Sequence, residues 1–105
     1  MHYEVTARFM ETTADEFLRM LGDGTISNQK PDGVELVASM KRAVVTSSGE
    51  VRWSEVCYCS TPLAHERQTV LDHYFTGITT DEIDGYRDYE GRPFMEYLAE
   101  LADHS

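Results

Sequence analysis

The chain has 105 residues, 41% of them apolar, with four Phe, six Tyr and one Trp, the make-up of one ordinary globular domain with its own core. Nineteen acids against nine Lys and Arg give a formal net charge of −10, and residues 81–105 alone carry eight acids against two bases. Such a surface repels phosphate backbones and anionic headgroups, so neither nucleic acid nor a membrane is an expected partner.

No apolar run approaches the roughly 18 residues that a membrane span needs. Met1-His2-Tyr3 leads straight into a strand pattern, without the basic stretch and apolar core of a secretory leader. Two cysteines one residue apart make no disulfide framework, and the expected setting is a reducing cytoplasm.

From Tyr3 to Phe9 the pattern alternates, with Tyr3, Val5, Ala7 and Phe9 on one side and Glu4, Thr6 and Arg8 on the other. That predicts a half-buried strand. Thr13 and Glu16 then stand in capping-box register, and Ala14, Phe17, Leu18 and Leu21 form a helical stripe that Gly22 stops. Residues 22–33 are turn chemistry, with Lys30-Pro31-Asp32-Gly33 as a tight turn.

Val34 to Val45 and Val51 to Cys59 predict the second and third strands, joined by a hairpin at Ser47-Ser48-Gly49-Glu50. A four-residue loop sets Val44 opposite Trp53, Arg42 opposite Glu55 and Met40 opposite Cys57, which collects most of the apolar side chains on one face; a loop one residue shorter sets Lys41 opposite Glu55 with a more mixed face, so the first register is expected. Thr61-Pro62 opens the next helix as N-cap and first residue, with Leu63, Val70, Leu71 and Tyr74 as its inner stripe and Gly77 as its end. Thr80 caps a short helix reaching Tyr89, and Gly91-Arg92-Pro93 starts a last one with Phe94, Tyr97, Leu98 and Leu101 on one side.

The predicted order is therefore β-α-β-β-α-α-α in a single α+β domain spanning residues 1–105. A right-handed crossover from strand one to a parallel strand two leaves room for strand three between them, antiparallel to both. The expected sheet runs 1-3-2, with helices packed on one face. This arrangement resembles a ferredoxin-like fold lacking its fourth strand, a likeness of architecture that transfers no function. Two open sheet edges invite a homodimer.

Candidate chemistry gathers in Cys57-Tyr58-Cys59-Ser60-Thr61-Pro62-Leu63-Ala64-His65. In an extended strand Cys57 and Cys59 stand ~6.6–6.8 Å apart with parallel side chains, too far for an easy disulfide. Two thiolates on one zinc must approach within about 4 Å, which only a bend at Cys59 would allow. His65 is the nearest imidazole; His73 lies roughly 80° around and ~12 Å along the same helix, so the two cannot share an ion. The expectation is that both thiols fill the core, with a thiol- or metal-dependent site built from Cys57, Cys59 and His65 as the competing reading.

Other constellations fail on spacing. The acids between Asp81 and Glu90 do not fit a calcium loop, no G-x-S-x-G occurs, and His65-Glu66 lacks the second histidine of a zinc-protease helix. Glu66 and His73 read as the border of an amphipathic helix. An Arg42–Glu55 pair facing the helices would make a polar pocket with Trp53 and Cys57, where the arginine suits a carboxylate. The functional expectation is a binding or interaction module rather than an enzyme, homodimeric, taking a small molecule or a protein and needing no cofactor.

Overall fold

The computed structural model describes residues 1–103. The alternating first segment forms β1 (His2–Phe9), with Tyr3, Val5 and Ala7 buried. A single 3-10 turn leads into α1 (Ala14–Gly22), which turns Ala14, Phe17 and Leu21 inward. Thr13 makes no side-chain cap; its hydroxyl donates to the Met10 carbonyl at 2.7 Å instead.

The expected second strand is mostly helix. Residues 34–45 fold as α2 (Gly33–Arg42) followed by the two-residue strand β2 (Val44–Val45). Leu36, Ala38 and Met40 satisfy a period of two, but the residues that are buried, Gly33, Leu36, Ser39 and Met40, follow a helical period. Leu, Ala, Met, Lys and Arg favour helix, and Glu35 in the first turn with Lys41 and Arg42 in the last complements its dipole. Gly33 is required at the start because a Cβ there would run into the Ile26 carbonyl.

β3 (Val51–Val56) ends before either cysteine. Its register on β2 sets Val44 opposite Arg52 and Val45 opposite Val51, which corrects the expected hairpin by one residue. Helix resumes at α3 (Ala64–Glu66), later than the Thr61-Pro62 signal implies, after Leu63 in a left-handed conformation at φ 58°. It widens into a π-turn at Arg67–Leu71 and closes as α4 (Asp72–Tyr74). The Thr69 hydroxyl donates to the His65 carbonyl at 2.8 Å within the widened turn.

The short helix expected after Thr80 is absent. Residues 75–83 form β4 (Phe75–Ile83), as their Phe, Ile and Thr content favours once β1 offers a free edge. Gly77, at φ 61°, lies where β4 carries one more residue than β1 between the Thr6–Thr79 and Arg8–Thr76 pairs. β5 (Arg92–Pro93) pairs with β2 and leads into α5 (Phe94–Asp103).

The result is one small α+β domain with a five-stranded antiparallel open sheet in the order β4-β1-β3-β2-β5, instead of the expected sheet of three. On one face Trp53 packs 5.4 Å from Phe75, and Phe17 stacks 4.4 Å from Tyr74. Residues 86–89 cross the other face, so helices do not account for all of the cover. There Ser54 Oγ donates to the Arg87 carbonyl at 3.1 Å and accepts the Arg87 N–H at 3.0 Å.

β2 is too short to pair the whole of β3, and α2 completes that edge with side chains. Glu35 Oε2 accepts the Val56 N–H at 2.8 Å, and Arg42 Nη2 donates to the Ser54 carbonyl at 2.9 Å. The two side chains pair with each other at 3.4 Å, Tyr86 donates its hydroxyl to the same carboxylate oxygen at 2.8 Å, and the Arg42 guanidinium lies 4.5 Å over the Tyr86 ring. A helix thus stands in for a strand. Glu35→Ala is expected to lower unfolding free energy by about 2 kcal/mol in urea denaturation, since a charged acceptor is lost from a strand edge. A loss below about 0.5 kcal/mol would show that the edge is satisfied without it.

Candidate functional site

Three elements meet beyond the end of β3: the start of α2, the Cys57-Tyr58-Cys59 segment and α3. Between the first two lies a cavity of about 260 Å³ lined by Pro31, Asp32, Glu35, Val56, Cys57, Tyr58 and Cys59. Pro31 follows a cis peptide bond, and Asp32 occupies the N-cap position of α2. The Asp32 carboxylate is held by His65, whose Nδ1 lies 2.9 Å from each carboxylate oxygen. His65 is thus tied to the rim of the cavity through Asp32.

Cys57 continues the β1 ladder, its N–H donating to the Met1 carbonyl at 2.8 Å, and lines the cavity. Burial pushes its thiol up from the usual range. Cys59 is half-buried and turns its N–H back to Cys57 Sγ at 3.3 Å. Tyr58 projects between them and is 88% exposed.

Beneath this cavity two carboxyls are buried together. Glu55 comes from β3 and Glu66 from α3, with 0% and 1% of their surfaces exposed. Glu55 Oε1 accepts the Trp53 indole N–H at 2.8 Å, while Glu55 Oε2 and both Glu66 oxygens are buried without a hydrogen-bond partner. Desolvation raises both, Glu66 to about 11, with Asp32 adding its negative charge to the push on each and Cys57 adding to that on Glu66. Glu66 is therefore neutral at ordinary pH.

The structure separates residues that the sequence reading groups together. Arg42 lies on α2, engaged by Glu35, Ser39 and the Ser54 carbonyl, and Glu55 has Tyr3 of β1 as its cross-strand neighbour. Trp53 and Glu55 lie beneath the cavity, outside its lining, whereas Cys57 and Cys59 line it. Among the described residues no group of three or more His, Cys, Asp or Glu is arranged to hold a metal ion. Glu66, read from the sequence as the border of an amphipathic helix, is instead 1% exposed; the signal that could have found it is the helical spacing of Leu63, Glu66, Val70 and Tyr74, which sets a carboxyl in an apolar stripe. Asp32 and Glu35 carry no such mark, because their place depends on α2 being a helix.

No family model matches the chain, and no curated protein or solved structure matches it either.

Glu66 makes stability depend on pH in a definite direction. Its folded pKa of about 11 stands above the model-compound value of 4.5, so between these limits the folded chain keeps a proton that the unfolded chain has lost. Stability therefore falls as pH rises through that window. Thermal unfolding is expected to occur at a higher temperature near about pH 6 than near about pH 8.5, with much less difference in Glu66→Gln, whose amide does not titrate. Equal pH slopes in the two proteins would mean that Glu66 is ionised in the folded state.

Proposed function

We propose that this chain is a non-catalytic binding module whose cavity takes a small ligand with an apolar body and a protonated amine. The observation that carries the reading is the cavity itself, with Val56, Pro31 and Tyr58 as its apolar wall and the Asp32 carboxylate in its lining, Glu35 being spent on Val56, Arg42 and Tyr86. At about 260 Å³ it suits a compact molecule. The formal net charge of −10 draws cations toward it and holds anions off. A carboxylate ligand paired with Arg42 is disfavoured, because that guanidinium is already committed to Glu35, Ser39 and the Ser54 carbonyl.

Three further points belong to the same reading. The order β4-β1-β3-β2, with helix between β1 and β2 and again between β3 and β4, supports a ferredoxin-like architecture extended by β5 and α5. β4 is nine residues long and pairs on one side only, which supports a homodimer formed through that edge. The free thiols of Cys57 and Cys59 suit a reducing compartment.

Titration of isotope-labelled protein with phenethylamine and, separately, with phenylpropionate tests the ligand class. The amine is expected to shift the amide signals of Asp32, Tyr58 and Cys59, less so at high salt, while the acid leaves them in place. A response to the acid alone, or to neither probe, would sink the assignment.

A further inference from the structure

We propose that Cys57 and Cys59 form a dithiol site that reacts with small cationic disulfides and closes to an intramolecular disulfide. Sequence reasoning rejects that bridge on the assumption that both residues are extended, at the ~6.6–6.8 Å spacing of a strand. The structure removes the assumption. β3 ends at Val56, and the chain folds at Tyr58 so that the Cys59 N–H meets Cys57 Sγ at 3.3 Å. Both residues line the same cavity. Tyr58, 88% exposed, points away from the fold, so drawing the sulfurs together displaces no packed side chain.

The two sulfurs differ in access, which divides the roles between them. Cys59 is half-buried, whereas Cys57 is 5% exposed and its thiol is held protonated by burial. Cys59, as thiolate, attacks one sulfur of the small disulfide; a mixed disulfide forms and the first small thiolate leaves, taking a proton from solvent. Cys57 then gives up its proton to solvent and attacks the Cys59 sulfur, which expels the second small thiolate. The protein dithiol is oxidised by two electrons and one small disulfide is reduced to two thiols. A ring closed across a single intervening residue is strained, so the bond is readily reduced again by a dithiol.

Charge selects the reagent. Asp32 and Glu35 line the same cavity as both sulfurs, in a chain of formal net charge −10. An amine-bearing disulfide is therefore drawn in and an anionic one is repelled. The exchange needs no resident ligand, so it stands whether or not the cavity binds the amines proposed above.

Full-length protein, reduced anaerobically, is incubated with cystamine and, separately, with oxidised glutathione, and followed by intact mass and peptide mapping. The expected product has lost two hydrogens, carries a bond between Cys57 and Cys59, and forms faster with cystamine. Cys57→Ser is expected to stop at a single adduct on Cys59, and Cys59→Ser to react about ten-fold more slowly. A stable adduct on the wild-type chain, no reaction, a disulfide-linked dimer, or preference for glutathione would each overturn the proposal. Should Cys57→Ser fail to fold by circular dichroism, Cys57→Ala takes its place, and mapping of the wild-type product decides in any case.

Discussion

A carboxyl group shut away from water keeps its proton unless a cation compensates it, and here two such groups share one buried space. Glu55 reaches down from the sheet and Glu66 from the helix above it, with a further acid, Asp32, adding negative charge to both. A proton held on Glu66 removes most of their mutual repulsion, and the Trp53 indole N–H satisfies one Glu55 oxygen. Their shared burial packs β3 against α3, the helix that carries His65. Everything at the cavity rim follows from that attachment, since His65 holds Asp32 and Asp32 begins α2.

A second constraint is the unpaired edge of β3. The sheet solves it with a helix whose Glu35 and Arg42 supply one acceptor and one donor where a neighbouring strand would have supplied backbone groups. Because both side chains are spent on the edge, the arginine is withdrawn from ligand binding. The cavity beside it keeps a negative character. The same device brings Tyr86 and the segment 86–89 across the polar face, so the chain after β4 is fastened through Glu35 and Ser54.

Local patterns in the sequence were legible where a single period dominated. β1 alternates without exception, and the stripes of α1 and α5 are helical throughout. Residues 34–45 were not legible by that route, because Leu36, Ala38 and Met40 fit a strand face as well as Leu36, Ser39 and Met40 fit a helix face. β4 was missed for a different reason: only Phe75 among its residues is buried, so the apolar signal of a strand is nearly absent and its existence depends on the free edge of β1. The cavity inherits both gaps. Cys57 and Cys59 were marked in advance by their spacing, but Asp32 and Glu35 reach the site only through a helix that periodicity alone leaves ambiguous.

The functional reading brings together an anionic cavity, a pair of adjacent thiols in its wall and a protonated carboxyl pair beneath it. The last of these is the most direct to observe. Infrared difference spectra between wild-type protein and Glu66→Gln, recorded at neutral pH and again well into the alkaline range, report the carbonyl stretch of a protonated carboxylic acid. The account predicts that this band is present in the wild type at neutral pH, persists on mild alkalinisation and vanishes in the variant. A wild-type spectrum showing only ionised carboxylates at neutral pH would contradict it.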